Sequence, residues 1–371
     1  MIGTYPRKAL SRKETNSNTI HPMKLAVLFS LSFFLAASVY SQTNSYTVTP
    51  IVNNTQDPFL INPWGLSRPV KSSLAENEWW VSDNLSGYTT LYYANKTGSN
   101  SLAPLFITIP TASGTGAGSP TGTAYNGTAG PGPGVNNFTF ATLDGTISNW
   151  NAGQKPSQGG TGCAECHVTS ASIVVNHSSL SASYNGLTVA TNQRKPIYYA
   201  TNFNGGVEAY DATTFAQVSL RGTFSDPRIP PGYKPYGIQT IGNQIWVTFF
   251  NMASGGFVDG FDVNGKLKVR LAKGNFSEPW GIAQAPADFG VFSNMILVGN
   301  KTSGQIGAYD PVTGAFQGFL EDASGDVIIL PGLWGVSFGN GNPKSGPTTT
   351  LYYAAGGANE TTGEFGAITA N

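Results

Sequence analysis

Short stretches in which apolar and polar residues alternate, separated by glycine-containing turns, fill most of the chain after residue 45. The clearest run has apolar stretches at 295–300, 304–310 and 315–320, with a Pro-Val-Thr-Gly turn between the last two. Alternation with a period of two over this length predicts half-buried β-strands. Comparable predicted strands lie at 79–84, 89–93, 197–202, 206–211, 216–220, 245–250 and 256–262.

A short X-Gly-apolar signal opens each group of predicted strands. It occurs at Trp64-Gly65-Leu66, Thr121-Gly122-Thr123, Asn185-Gly186-Leu187, Tyr236-Gly237-Ile238, Trp280-Gly281-Ile282 and Trp334-Gly335-Val336. Proline precedes four of them, as Pro63, Pro120, Pro235 and Pro279. The glycines are 57, 64, 51, 44 and 54 residues apart. Strand repeats of this length are typical of a β-propeller, so the sequence predicts an all-β fold with six blades.

The two ends of the chain complement each other in this scheme. The last unit supplies only three predicted strands, at 333–338, 350–355 and 364–369, whereas the strand-like stretch 46–52 has no partner of its own. We expect this N-terminal strand to form the outer edge of the last blade, because such closure removes a free sheet edge.

The N-terminal region has the features of a secretory signal. Lys24 precedes a 13-residue apolar stretch at 25–37, and Val39-Tyr40-Ser41 places small residues for cleavage before Gln42. The apolar stretch is too short for a membrane span. The sequence therefore predicts an upstream tail at 1–22, a signal peptide at 23–41, a propeller at 42–371 and a secreted or periplasmic protein.

Composition narrows the classes of partner. Without residues 1–41 the chain keeps 15 basic and 19 acidic residues, a net charge of −4. Such a chain would not attract nucleic acid or an anionic membrane surface. We expect a monomer that binds a small molecule, a glycan or a protein.

Several stretches resemble a family of uncharacterised secreted β-propeller proteins with NHL-like repeats. The similarity is carried by Asn62-Pro63-Trp64-Gly65-Leu66, Trp80-Val81-Ser82-Asp83-Asn84, Asp144-Gly145-Thr146-Ile147 and Gly332-Leu333-Trp334-Gly335-Val336. The resemblance covers nearly all of 45–369. It implies the propeller fold and no particular activity.

The default ligand site of a propeller is the mouth of its central channel, where the first strands begin and the second strands end. The aromatic residues at the strand entries are Trp64, Tyr236, Trp280 and Trp334. Asp83, Asn202 and Asn300 occupy equivalent second-strand ends, where they could hold Ca²⁺ or orient a polar ligand. The alternative is structural, since Asn and Asp often cap turns and Trp beside Gly often packs between blades.

The only two cysteines form Cys163-Ala164-Glu165-Cys166-His167, within a loop insertion expected near 155–170. C-x-x-C-H is the attachment signature of c-type haem, with His167 as the proximal ligand and His177, Met252 or Met295 as a second one. Two alternatives are a Cys163–Cys166 disulfide and a zinc site of Cys163, Cys166, His167 and His177.

Three functions follow from these sites. The first is a ligand- or protein-binding propeller without catalysis, and the second is an electron-transfer protein with c-type haem. The third is a calcium-dependent hydrolase of the lactonase kind. The sequence lacks Gly-x-Ser-x-Gly and HExxH motifs, and only His167 and His177 follow the signal region, which leaves little material for a histidine-based triad.

Overall fold

The computed structural model describes residues 43–70, 77–127, 137–151, 157–160 and 163–371, and of these it describes only the backbone at 137, 157–160 and 163–168. The predicted tail at 1–22 and signal peptide at 23–41 lie outside the described residues. Described strands form six sheets arranged as the blades of a β-propeller, which confirms the predicted fold class.

The strands up to residue 176 are β1 (Tyr46–Asn53), β2 (Pro63–Ser67), β3 (Trp79–Asp83), β4 (Tyr88–Tyr92), β5 (Leu105–Thr108), β6 (Pro120–Asn126), β7 (Asn137–Thr142), β8 (Thr146–Asn151), β9 (Ser157–Gly160), β10 (Cys163–Ser170) and β11 (Ser172–Asn176). Those after residue 176 are β12 (Tyr184–Asn192), β13 (Lys195–Asn202), β14 (Val207–Asp211), β15 (Lys234–Ile241), β16 (Gln244–Asn251), β17 (Gly255–Asp262), β18 (Leu267–Arg270), β19 (Pro279–Gln284), β20 (Ile296–Asn300), β21 (Ile306–Tyr309), β22 (Phe316–Phe319), β23 (Leu333–Phe338), β24 (Leu351–Ala355) and β25 (Glu364–Ala370). Short 3-10 helices lie at Gly98–Ser101, Ser178–Leu180 and Gly290–Phe292.

Each blade begins with a strand that carries one X-Gly-apolar signal. Blades one and two contain β2-β3-β4-β5 and β6-β7-β8-β11, and blade three contains β12-β13-β14. Blades four and five contain β15 to β18 and β19 to β22 in chain order. Neighbouring strands of every blade are antiparallel, as short connections require.

The N-terminal strand closes the ring. Blade six has the order β23-β24-β25-β1, and β1 pairs antiparallel with β25 so that Tyr46 faces Ala370 and Asn53 faces Glu364. This confirms that the first strand forms the outer edge of the last blade. Both ends of the propeller are held by the same sheet, so opening the ring requires breaking its hydrogen bonds.

The six repeated glycines lie where neighbouring blades approach most closely. At each of these glycines, an added Cβ would lie 3.0 Å or less from another atom. The six are Gly65, Gly122, Gly186, Gly237, Gly281 and Gly335. In each case the atoms met include the backbone of the next blade, and for Gly335 they include the carbonyl of Trp64 in blade one. The contacts therefore run around the whole ring. They explain why the repeat signal has glycine at its centre, because any side chain would push two blades apart.

The core is divided among the interfaces between blades. Blades four and five share Trp246, Val258, Ile282, Val298 and Tyr309, all of them buried. The other five interfaces contain clusters of the same kind. A sheet with apolar residues on both faces can bury them only against two neighbours, and the propeller provides a neighbouring blade on each side.

Two predicted details differ from the structure. The stretch 216–220 is not a strand, since only Gln217 forms a bridge, to Tyr210, and blade three has three strands. The second difference concerns the insertion near 155–170, which was expected as a loop. It contains β9 and β10, and β10 pairs in parallel with β5, so the insertion extends the sheet of blade one.

Candidate functional site

Four aromatic residues that open blades one, four, five and six pack together in the centre of the ring. Trp64 stacks on Trp334 with ring centroids 3.6 Å apart and an interplanar angle of 18°. Trp64 also contacts Tyr236 and Trp280 edge to face, at 6.2 and 6.0 Å. Blades one and four are opposite in the ring, so these rings meet across the axis. The sequence placed them at one mouth, and the structure brings them into a single buried cluster.

The remaining two entry positions carry smaller residues, Thr121 and Asn185. Thr121 turns its hydroxyl to the backbone carbonyl of Tyr184, at 2.7 Å. The carbonyl of Asn185 accepts a hydrogen bond from Trp280 Nε1 across the axis, at 2.9 Å. The aromatic cluster therefore has no members from blades two and three, and it leaves space on the side of blade three.

A cavity of about 500 Å³ occupies the mouth beside the aromatic cluster. Its wall combines aromatic, hydroxyl, amide and charged side chains from blades three, four and five. The lining residues are Ser183, Asn185, Phe203, Tyr236, Phe250, Met252, Gly255, Phe276, Ser277, Glu278, Lys301 and Thr302. Clefts of this size are common at small-molecule sites, and the wall of this one is about as polar as it is apolar.

The aromatic wall is continuous. Phe203 contacts Tyr236 edge to face at 5.9 Å, and Tyr236 stacks on Phe250 at 5.2 Å. Phe203 and Phe250 are half-buried, while Tyr236 and Phe276 are buried. Burial raises the pKa of the Tyr236 hydroxyl, and the neighbouring Glu278 carboxylate raises it further. Tyr236 therefore remains a neutral hydrogen-bond donor at physiological pH.

The charged wall is built around Glu278 and Lys301. Glu278 accepts hydrogen bonds from the hydroxyls of Tyr236 at 2.9 Å and Thr302 at 2.7 Å. Lys301 Nζ lies 3.2 Å from Glu278 Oε2 and also pairs with Glu360. Burial lowers the pKa of Lys301, but its carboxylate partners Glu360 and Glu278 outweigh it and raise the pKa overall. Lys301 therefore stays charged, 5.4 Å from the ring centre of Trp334.

The backbone at Glu278 is in the left-handed region, with φ of 59°. Blades one and six have Asn62 and Gly332 at the equivalent position, with φ of 50° and 69°. A residue with a Cβ costs about 1–2 kcal/mol more than glycine there. The left-handed backbone is therefore shared by three blades, and in blade five it carries a side chain whose carboxylate reaches the cavity wall.

Asn202 and Asn300 support two residues of the cavity wall. Asn202 Oδ1 accepts a hydrogen bond from the backbone N–H of Ser183 at 3.1 Å. Asn300 Oδ1 accepts one from the backbone N–H of Ser277 at 2.8 Å, and its Nδ2 donates to Gln305 O. Both amides thus fix the loops that enter blades three and five. Their role as ligand contacts stays a prediction.

Asp83 is in a different environment. Its side chain is fully buried, Oδ2 accepts a hydrogen bond from Thr90 Oγ1 at 2.7 Å, and Oδ1 has no hydrogen-bond partner. Burial raises its pKa well above the usual value, and the nearby Asp57 adds to the rise. Among the described residues no group of three or more His, Cys, Asp or Glu could hold a metal ion. The calcium prediction, which also used amide oxygens, remains untested.

We expect the stability of the protein to depend on pH through Asp83. A carboxyl whose pKa is raised by folding stabilises the folded state below its unfolded pKa, and this contribution is lost as the pH rises through the folded pKa. Asp83→Asn has a side chain of the same shape but no carboxyl group to ionise, so the variant does not lose this stabilisation. Thermal unfolding of both proteins between pH 5 and pH 9 should show the variant gaining stability relative to the parent as the pH rises. Parallel curves would mean that Asp83 is ionised in the folded protein.

His177, predicted as a haem or zinc ligand, belongs to a hydrogen-bonded cluster at the edge of blade three. Its Nδ1 lies 2.9 Å from the Tyr184 hydroxyl, which donates to Glu208 Oε2 at 2.7 Å. Burial raises the pKa of Glu208, but hydrogen bonds from Asn202, Tyr184 and Tyr210 outweigh it and lower the pKa overall. Because Nδ1 is engaged, only Nε2 of His177 could serve as a ligand.

The side chains of Cys163, Cys166 and His167 lie outside the described residues, although their backbone belongs to β10. The haem, zinc and disulfide predictions therefore stay predictions. Of the other two candidates for a second haem ligand, Met252 is 91% exposed and lines the cavity. Met295 is half-buried against the core shared by blades five and six.

Sequence reasoning missed Phe203, Phe250 and Lys301. Phe203 and Lys301 lie one position beyond the last residue of a second strand, next to Asn202 and Asn300, and Phe250 lies at the corresponding position within β16, next to Phe249. The strand register makes these positions equivalent, since Pro235 pairs with Phe249 and Pro279 pairs with Asn300. For Phe203 and Lys301 the signal was present in the sequence, one residue after Asn202 and Asn300, whereas no residue at the end of the second strand of blade four was singled out.

The fold and the site together define a six-bladed β-propeller with a ligand-sized cavity at one mouth. No family model matches the chain. Three uncharacterised proteins of Acanthamoeba polyphaga mimivirus are similar to it. The first is 27% identical over 220 residues, which cover 56% of this chain and 38% of the relative. The second is 26% identical over 303 residues and the third 26% over 339, covering 76% and 84% of this chain and 69% and 81% of the relatives. The chain thus spans little more than a third of the length of the first relative.

Two solved structures are similar to this chain at low sequence identity. BBS1N, crystallised in complex with ARL6DN, is 12% identical with a TM-score of 0.47, covering 86% of this chain and 96% of that chain. The computationally designed Ika8 protein is 12% identical with a TM-score of 0.42, covering 82% of each chain. Within the described residues, no helix is long and apolar enough to cross a membrane.

Proposed function

We propose that this protein is a binding propeller, secreted or periplasmic, whose ligand occupies the cavity over blades three to five. The observation that carries the proposal is the composition of the cavity wall. Three contiguous aromatic rings face a space of about 500 Å³ that also contains an ion pair, an amide and hydroxyls. The signal-like residues 23–41 support the location outside the cytoplasm.

The arrangement favours binding over support of the fold alone. Lys301 and Glu278 are only partly exposed, and holding such groups at a partly apolar wall costs solvation. A purely structural mouth could be filled by larger apolar residues instead. The NHL-like repeat type is part of the same proposal, because it accounts for the X-Gly-apolar entry of every blade.

A fragment library screened by ligand-observed NMR tests the proposal. Thr302→Trp adds a large side chain at the exposed rim of the cavity and should weaken the binding of fragment hits by about tenfold or more. Val312→Trp is the matched control. Val312 is 83% exposed in the turn after β21, at the opposite end of blade five, and this variant should bind like the parent.

Circular dichroism should show the same fold for all three proteins. Hits that bind the parent and Thr302→Trp equally would place the ligand elsewhere on the molecule. A library in which nothing binds the parent would contradict the proposed function.

A further inference from the structure

We infer that the ligand of this cavity is a neutral saccharide, an inference that rests on the proposed function. The wall has one carboxylate and one ammonium group, Glu278 and Lys301, which are 3.2 Å apart, and Lys301 also pairs with Glu360. An anionic ligand would meet these two carboxylates and an ammonium group that is already paired. A cationic ligand would have to compete with Lys301 for the same carboxylates, so the wall offers no unpaired charge to either kind of ligand.

The polar groups of the wall suit a ligand that is rich in hydroxyls. Ser183, Ser277 and Thr302 carry hydroxyls, and Asn185 carries an amide, so each can both donate and accept. Glu278 adds accepting oxygens and Lys301 adds donors. A sugar hydroxyl also donates and accepts, so it can be satisfied at any of these positions. A purely apolar ligand would leave the ion pair desolvated without compensation.

The aromatic residues of the wall suit the apolar face of a sugar ring. Phe203, Tyr236 and Phe250 form one connected surface, and the two phenylalanines are partly exposed. The face of an aromatic ring is negatively polarised and attracts the weakly positive C–H groups of a pyranose. Stacking therefore adds contact area without requiring charge.

Two other ligand chemistries fit less well. A phosphate group needs several donors from cations or a helix N-terminus, and this wall offers a single ammonium that is already paired. A quaternary ammonium group would find aromatic rings, but Lys301 lies on the same wall and repels it.

An array of neutral oligosaccharides probed with the full chain tests the inference. The strongest binder is then titrated by calorimetry against the parent, Phe250→Ala and Phe319→Ala. Phe319 is a half-buried phenylalanine on the outer strand β22 and serves as the matched control. Phe250→Ala should weaken binding by about tenfold or more, or about 1.4 kcal/mol, whereas Phe319→Ala should not change it.

The outcomes separate the ligand class from the function. If no saccharide binds while charged or apolar fragments bind in a way that Thr302→Trp blocks, the saccharide inference is wrong and the binding function stands. Saccharide binding that is equal in the parent and in Phe250→Ala would also overturn the inference. If neither saccharides nor fragments bind, both fail.

Discussion

Gly237→Ala should lower the free energy of unfolding by about 3 kcal/mol, at the upper end of the usual range for overpacking. A Cβ at this position would collide with the backbone carbonyl of Trp280 in the next blade. The atoms it meets belong to the main chain of an innermost strand, so no side chain can rotate away. Relief requires the separation of blades four and five. Chemical denaturation followed by circular dichroism measures the effect.

The matched control is Gly206→Ala. A Cβ at Gly206 has no atom within 4 Å, and its φ is not in the left-handed region. Its stability should change by less than about 0.5 kcal/mol. Equal losses for the two variants would mean that the glycine of the repeat signal does not mark a contact between blades.

Trp334→Ala should cost about 3–5 kcal/mol, the usual range for removing a large buried aromatic side chain. Trp334 is 1% exposed, stacks on Trp64 at 3.6 Å and contacts Trp280 at 5.9 Å. Its Nε1 also donates a hydrogen bond to Asn62 Oδ1 at 2.9 Å. The substitution leaves a void on the axis that blades fixed by their own sheets cannot collapse to fill. Thermal unfolding measures the loss.

Spectroscopy separates this cluster from the rest of the core. Two stacked indoles couple electronically, so we expect Trp64→Phe and Trp334→Phe to remove the same near-ultraviolet circular dichroism band. Trp79→Phe, a change in a buried tryptophan at the interface of blades six and one, should leave that band in place. Different bands lost in the first two variants would contradict the stacking.

Much of the fold could be predicted because local and long-range requirements coincide. Glycine at the centre of each X-Gly-apolar signal is required by the close approach of innermost strands, so the signal marks the start of every blade. The stretch 46–52 had no partner, and the last unit lacked a fourth strand. Pairing the two satisfies both, and in the structure β1 pairs with β25. The repeated glycine signal and the missing strand can both be found by comparing the repeats along the sequence.

The details that failed depend on contacts between distant parts of the chain. The stretch 216–220 alternates like a strand, but Phe215 adopts a left-handed conformation with φ of 58° and the chain leaves the sheet after one bridge. The strand β10 pairs with β5 of the preceding blade, about sixty residues earlier in the sequence, as its register shows. No local pattern indicates that partner.

The candidate site was predicted in part. Tyr236 was identified at the mouth, and it is the only one of the four entry aromatics that lines the described cavity. The position of the cavity depends on the small residues Thr121 and Asn185, which interrupt the aromatic ring on one side. Their significance appears only once the six entry positions are arranged in a circle. Glu278 was missed because its orientation follows from a backbone conformation that alternation does not reveal.

Crystals of the protein soaked with the strongest fragment hits give the most direct test of the binding proposal. The account predicts ligand density in the cavity, in contact with Phe203, Phe250 and the Glu278–Lys301 pair. Density for a tightly bound hit at any other surface, with this cavity filled by solvent alone, would contradict it.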